Sequence, residues 1–306
     1  MTFSVTILGS GSAVPTPDRF PTAQFVSCHS RNILIDCGEG TQFQMRRYGI
    51  KIQSLQLILI SHLHGDHFFG LVGLLSTMHL LGRNSGLTII GPTGLEQIIR
   101  SQLEIGYSKL DFDITFVALK KGDVACVFED KVLEIHTFPL NHKVPTHGYL
   151  IKEKQGDLKM NKEKVIEFEI PLSVIHQLKA GNDFLDDNGK FWKYKEFTLP
   201  AKKSRSYAFC SDTKFDERLI ENIEGATVLY HEATFIEKDK NRANKTFHST
   251  AKEAAEIAKK SKVQKLIMGH LSARYKNAVE HVSEAKQVFE NSIYASDGIT
   301  IEVGNQ

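Results

Sequence analysis

The chain has 306 residues, 41% of them hydrophobic, and a formal net charge of +2. This composition excludes a disordered or fibrous chain and allows a substantial buried core. The near-balanced charge excludes recognition of a polyanion through the field of the whole molecule, so a nucleic-acid partner must meet a local concentration of Lys and Arg.

The four cysteines, Cys28, Cys37, Cys126 and Cys210, form no CxxC pair and read as small thiols of a reducing compartment. No stretch approaches the ~20 apolar residues of a membrane span. The opening "MTFSVTILGSGS" lacks the basic and long apolar regions of a secretory leader. A cytoplasmic protein with no membrane partner is expected.

In chain order, "FSVTILGS", "NILIDCGEG", "LQLILISH", "LTIIGP", "ITFVAL" and "VLEIHTF" are short apolar runs ended by turn residues, the pattern of buried strands. Between them, "FFGLVGLLSTMHLLG" and "TGLEQIIRSQLEIG" have helical spacing, the latter between Gly94 and Gly106. From Lys152 to Arg205 the chain changes character. Twelve Lys and Arg face nine Asp and Glu there, a surplus of three against two for the whole chain. The stretch reads as an insertion, and on charge alone as a solvated excursion. Afterwards "SYAFCSD", "ATVLYHEAT" and "VQKLIMGH" predict strands, and "TAKEAAEIAKKS" and "NAVEHVSEAKQVFEN" helices. Thr250 and Glu253 have capping-box spacing, which sets His248 just ahead of a helix N-terminus. The class is mixed α/β.

The densest chemistry lies in "SHLHGDHFFG", directly after a predicted strand. His62 and His64 are two apart, and Asp66 and His67 follow as the chain turns into a helix. Imidazole nitrogens and carboxylate oxygens bind zinc and similar divalent ions, and Gly65 is expected to let the backbone fold tightly enough for four donors to converge. Three further donors are expected at strand ends: His142 in "FPLNHKVPTHG", Asp212 in "FCSDT" and His270 in "LIMGHLS". Seven donors suffice for two metals sharing one carboxylate.

These residues, with "DCGEGTQFQ" ahead of the cluster, "HEAT" at His231 to Thr234 and "HST" at His248 to Thr250, resemble the ribonuclease Z family of the metallo-β-lactamase superfamily. The resemblance runs from "LGSGSAVP" to "GHLSARY". It implies a four-layer αβ/βα metallo-β-lactamase sandwich over residues 1–306, with residues 152–205 as an inserted, flexible tRNA-binding arm. It also implies a homodimer that removes the 3′ trailer from precursor tRNA, leaving a 3′-hydroxyl on the tRNA and a 5′-phosphate on the trailer. The implied cofactors are two Zn2+ ions per subunit, one on His62, His64 and His142, the other on Asp66, His67 and His270, with Asp212 bridging. Asp66 is implied as the proton acceptor that orients the attacking water.

His248, beside a helix N-terminus, is a candidate proton donor to the departing 3′-oxygen, and Glu232 a candidate to orient it and raise its pKa. Two stretches depart from the family pattern: "EIPLSVIHQLKAG" replaces a glycine- and proline-rich arm tip, and "VPTPDRFPTAQ" keeps only Pro15 and Arg19 of a basic loop. The alternative is a superfamily hydrolase of another ester, arylsulfatase-like or cyclic-nucleotide phosphodiesterase-like. A further alternative is a non-catalytic RNA-binding protein, which the intact donors oppose. A di-iron redox protein of the superfamily usually has glutamate where His64 stands.

Overall fold

The structure is a computed structural model that describes residues 2–187 and 189–304. The chain forms two compact units, one from Met1–Lys152 with Arg205–Gln306 and one from Glu153–Ser204.

In the larger unit the chain begins with strands β1 (Phe3–Gly9), β2 (Ala23–Cys28) and β3 (Arg31–Ile35), then helix α1 (Thr41–Arg47) and strand β4 (Leu57–Leu59). Helices α2 (Gly65–Phe68) and α3 (Leu71–Leu80) follow, then β5 (Leu87–Pro92), α4 (Leu95–Ile105), β6 (Ile114–Leu119), β7 (Ala125–Glu129), β8 (Leu133–Leu140) and β9 (Thr146–Glu153). The smaller unit holds β10 (Lys159–Met160), α5 (Lys162–Glu167), α6 (Leu172–Lys179), β11 (Phe184–Leu185), β12 (Phe191–Trp192), α7 (Tyr194–Phe197) and β13 (Thr198–Leu199). The larger unit resumes with β14 (Ser206–Cys210), α8 (Ile220–Ile223), β15 (Val228–Glu232), α9 (Lys240–Thr246) and α10 (Ala251–Lys260). It ends with β16 (Lys265–Gly269), α11 (Val279–Lys286), β17 (Ser292–Tyr294) and β18 (Thr300–Glu302).

Two seven-stranded sheets result, ordered β18-β1-β2-β3-β4-β5-β6 and β17-β16-β15-β14-β9-β8-β7. Strand periodicity divides their side chains between two faces. Ile33, Ile35, Leu57 and Leu59 pack with Ile135, Tyr149, Tyr207, Phe209 and Ile267 in a core between the sheets. Their neighbours Leu34 and Ile58 face the other way, against Leu71, Leu74, Leu75 and Met78 of α3 and Leu95 and Ile99 of α4. On the second sheet Ala208, Leu229 and Leu266 face the small residues Ala251, Ala254, Ala255 and Ala258 of α10. Helices therefore cover the outer face of each sheet, giving four layers. This burial on both faces explains why the central strands read as continuous apolar runs.

Within the larger unit, the strands absent from the sequence reading are β2, β7, β9, β17 and β18. β7 is a largely exposed edge strand and β9 contains Gly148, so neither has the apolar density that marks a strand in a sequence. The last predicted helix is shorter than its pattern, ending at Lys286. Among the described residues no helix is long and apolar enough to cross a membrane.

The inserted segment, described by itself, is folded. Ile170, Val174, Leu178, Trp192 and Phe197 form its own small core. Pro171, in the stretch that departs from a glycine- and proline-rich tip, is the N-cap of α6, where its missing N–H and fixed φ suit a helix start. Trp192 is buried, donates its indole N–H to Asp186 (2.8 Å), meets the Phe197 ring edge-on and carries the Lys190 ammonium 3.8 Å above its face.

The turn that carries the histidine cluster depends on a close backbone approach. Cys37 N–H donates to the His67 carbonyl (2.7 Å) and Gly70 N–H to the Cys37 carbonyl (2.9 Å). A Cβ on Gly70 would lie 2.1 Å from the Gly38 carbonyl oxygen, whereas one on Gly65 would meet only the Phe69 ring, a side chain 65% exposed and free to swing away. The turn therefore depends on Gly70 and on Gly38, whose Cβ would lie 2.6 Å from the Asp66 carbonyl oxygen, more than on Gly65, and the expectation for Gly65 is corrected.

Two outcomes follow. Gly70→Ala should lower unfolding stability by about 3 kcal/mol in chemical denaturation, as forced overpacking does, while Gly65→Ala stays within about 1 kcal/mol. Trp192→Ala should remove hydrogen-exchange protection from residues 153–204, the truncation costing about 3–5 kcal/mol locally, while the two large sheets keep theirs.

Candidate metal centre

Seven potential donors reach one cleft from the ends of separate elements. His62 and His64 follow β4, Asp66 and His67 lie in α2, and His142, Asp212 and His270 follow β8, β14 and β16. Asp212 (φ 52°) and His270 (φ 63°) occupy the left-handed backbone region, as does Asp36 (φ 57°) just beyond β3. That conformation costs an L-residue roughly 1–2 kcal/mol and is visited most readily by short polar side chains. Here it turns the side chains at three strand ends.

Asp212 lies at the middle. Its Oδ2 is 3.6 Å from His62 Nε2 and 3.7 Å from His142 Nε2, and its Oδ1 is 3.3 Å from His67 Nε2 and 3.1 Å from His270 Nε2. His64 Nδ1 is 3.0 Å from His62 Nε2 and 3.3 Å from His142 Nε2. Asp66 Oδ2 is 3.4 Å from the Nε2 atoms of both His67 and His270. Two clusters able to hold a cation thus stand side by side: His62, His64 and His142 with Asp212, and Asp66 with His67 and His270. His62, His67, Asp212 and His270 are buried; His64, Asp66 and His142 are partly exposed.

A surrounding layer decides which ring nitrogens face inward. His67 Nδ1–H donates to Asp36 Oδ2 (2.7 Å) and His142 Nδ1–H to the Phe247 carbonyl (2.9 Å). Ser61 Oγ–H donates to Asp36 Oδ2 (2.9 Å), so its oxygen accepts from His62 Nδ1 (3.0 Å). Thr234 Oγ1–H donates to Glu232 Oε2 (2.6 Å), so its oxygen accepts from His270 Nδ1 (2.9 Å). In each ring Nδ1 carries the proton and Nε2 is left with its lone pair, the tautomer of a metal ligand.

Four Nε2 atoms, His64 Nδ1 and two carboxylates therefore converge on one interior. His67 Nε2 is fully buried and makes no hydrogen bond. Burial alone would lower the His67 pKa, yet Asp212, Asp66 and Asp36 push it well above the ordinary histidine value. Asp66 is held well below the usual carboxylate range: burial acts to raise it, and His67 and His270 outweigh that. The cluster demands a cation, and a divalent metal on N and O donors meets that demand. The donor set fits.

Beside it lies a second arrangement. Glu232, the fully buried last residue of β15, accepts from His248 Nδ1–H (2.7 Å) and from the Thr213 backbone N–H (3.0 Å). Burial acts to lower the His248 pKa, but the Glu232 carboxylate prevails and pushes it up to about 9. The His248 ring stacks on His270 with centroids 5.3 Å apart. Thr250 caps α10 through a full capping box with Glu253, two residues beyond His248. The Thr234 hydroxyl links this pair to His270.

Sequence reasoning assigned no role to Asp36, Ser61 or Thr234. Asp36 and Thr234 sit in the quoted "DCGEG" and "HEAT" stretches, which was the available signal, but their task is visible only from the rings they touch.

The family profile described as "Anti-Pycsar protein Apyc1" matches residues 3–176, a span that includes the donors up to His142 and stops before Asp212, Glu232, His248 and His270. Curated relatives match the whole length. Ribonuclease Z of Parabacteroides distasonis is 43% identical over 98% of this chain and 99% of its own. Ribonuclease Z of Cytophaga hutchinsonii is 42% identical over 100% of this chain and 98% of its own. Among solved structures, human tRNase Z, short form, superposes with a TM-score of 0.73 at 25% identity, over 99% of this chain and 100% of that one. A metallo-beta-lactamase fold protein of Bacillus subtilis has a TM-score of 0.69 at 17% identity, over 99% of this chain and 100% of that one, a likeness of fold. With the metallo-β-lactamase fold, and with the Apyc1 profile over residues 3–176, the chain belongs to the ribonuclease Z family.

Proposed function

We propose that this chain is a zinc-dependent endoribonuclease that removes the 3′ trailer from precursor tRNA. The observation that carries the reading is the Asp212 carboxylate set between two donor clusters, with the Glu232–His248 pair alongside, in a chain that matches ribonuclease Z relatives from end to end.

His62, His64 and His142 would hold one zinc and Asp66, His67 and His270 the other, and Asp212 would be shared between them. Such a pair supplies Lewis-acid stabilisation of phosphate charge and activates water at neutral pH. The chain's own groups move the protons. Asp66, partly exposed at the mouth and held ionised, orients the attacking water and accepts its proton. As water oxygen bonds to phosphorus and the P–O3′ bond breaks, protonated His248 delivers its proton to the departing 3′-oxygen. Glu232 is a positioning residue: it fixes the His248 ring and favours its charged form. The products are a tRNA 3′-hydroxyl and a trailer 5′-phosphate.

The Lys-rich unit Glu153–Ser204 is proposed to grip precursor tRNA through phosphate contacts that weaken steeply with salt. A homodimer is proposed, with the exposed side chains of Phe43 and Phe69, which line one pocket, as candidates for its interface. A cytoplasmic setting suits four free cysteines.

Two experiments test the chemistry. Asp66→Ala and Asp212→Ala should each slow cleavage of precursor tRNA at least about 100-fold, with affinity for the RNA unchanged, as read by single-turnover cleavage and filter binding. Full cleavage by Asp66→Ala would overturn the mechanism. The second is a pH profile. Because the proton donor is His248, the wild-type rate should hold up to about pH 9 and fall above it. In Glu232→Gln the raised pKa loses its cause, so the alkaline limb should move down toward the ordinary histidine value of about 6.5. An unmoved limb would remove Glu232 from this role.

A further inference from the structure

Beyond the C-cap of α9 stand His248, Ser249 and Thr250. His248 is the proton donor and Thr250 caps α10, and between them lies the fully buried hydroxyl of Ser249. Its Oγ–H donates to the backbone carbonyl of Thr213 (2.6 Å), 36 residues earlier in the chain. Thr213 is itself fully buried and directly follows Asp212, the carboxylate at the middle of the donor cluster.

That bond closes a cycle. Thr213 N–H donates to Glu232 Oε1 (3.0 Å), the same oxygen that accepts from His248 Nδ1–H (2.7 Å). The path from Thr213 through Glu232, His248 and Ser249 back to Thr213 therefore has three hydrogen bonds and the one covalent link between His248 and Ser249. A single hydrogen bond at Nδ1 lets an imidazole pivot about that contact, so the backbone that carries the ring decides where Nε2 points. On one side that backbone is held by His248 N–H donating to the Ala243 carbonyl (2.9 Å), just after the left-handed turn at Phe247 (φ 62°). On the other side the Ser249 carbonyl accepts from Phe235 N–H at a looser 3.3 Å, and the Ser249 hydroxyl makes the shorter contact, the one that reaches the neighbour of Asp212.

The His248 ring lies 5.3 Å, centroid to centroid, from the rings of both His142 and His270. With Nδ1–H committed to Glu232, the proton available to a leaving group is the one on Nε2. Its direction depends on how the ring sits against those two rings and against Asp212. Misplacing a reacting group by about 1 Å can cost about 100-fold in rate.

We infer that Ser249 is a positioning residue for the cleavage step: its hydroxyl ties the backbone carrying the proton donor to the residue beside the shared carboxylate, so that His248 Nε2–H meets the departing 3′-oxygen. This rests on the ribonuclease reading, with His248 as the proton donor. Ser249 is buried and acts through His248.

A change of leaving group separates proton delivery from general loosening. The 3′-oxygen of a tRNA leaves as an alkoxide unless it is protonated, whereas p-nitrophenolate leaves as a stable anion and needs no acid. Wild type, Ser249→Ala and Thr213→Val, each zinc-loaded, are compared on precursor tRNA in single turnover and on bis(p-nitrophenyl) phosphate, and the readout is the ratio of the two rates within each protein. Ser249→Ala should slow cleavage of precursor tRNA about 10- to 100-fold at unchanged RNA affinity, and lower the ratio at least about 10-fold. Thr213→Val deletes the side-chain bonds to Asn141 N–H and the Lys214 carbonyl but keeps the N–H and carbonyl that belong to the cycle. It should slow both substrates to the same extent and keep the wild-type ratio. Zinc content and melting temperature report folding in each variant. A wild-type ratio in Ser249→Ala, or a ratio lowered equally in Thr213→Val, would overturn the role of Ser249. Wild type that hydrolyses bis(p-nitrophenyl) phosphate but leaves precursor tRNA uncut would instead overturn the ribonuclease reading, and the role of Ser249 with it.

Discussion

Asp212 turns one carboxylate oxygen toward His62 and His142 and the other toward His67 and His270, while almost wholly buried. Ionised oxygens at such a place are tolerable only when positive charge lies close to both. Much of the surrounding architecture follows from that condition. Donors must arrive from four strand ends, their protons must point away from the centre, and the backbone must bend sharply where the strands stop.

The outward hydrogen bonds of the imidazoles satisfy the second requirement with unequal partners. His67 is held by a carboxylate, Asp36, which is buried and kept company by Ser61. His142 uses a backbone carbonyl and His270 a hydroxyl. A carboxylate partner raises ligand basicity more than a neutral one does, so the rings differ in the strength of their inward lone pairs. The Thr234 hydroxyl also joins Glu232 to His270, so the acid–base pair and the donor cluster share one hydrogen-bond network and neither is free to shift alone.

The two compact units illustrate separate solutions to stability. The larger covers both faces of each sheet and leaves its polar chemistry to the strand ends. The smaller relies on a core of five buried side chains, with several lysines lying over its aromatic rings. Those aromatic platforms keep lysine charge at the surface of a unit whose own charge is only mildly positive.

Local pattern alone determined the strand–helix alternation, the donor types and their placement at strand ends, because apolar runs, capping spacing and the dense HxHxDH stretch are all short-range signals. The family resemblance carried the pairing of donors across the chain. Of the strands that escaped notice, β7 lies at an edge, β9 carries an internal glycine and β2 is interrupted by Gln24 and Ser27, so none presents a continuous apolar run to read. The dependence on Gly70 in place of Gly65 arises from its approach to the Gly38 carbonyl, a contact made only when the chain folds back. Tertiary structure alone decided the Nδ1–H partners and the small core of the inserted unit. Each is a relation between side chains brought together from distant positions, and a one-dimensional pattern records which residues are present but not which of their atoms meet.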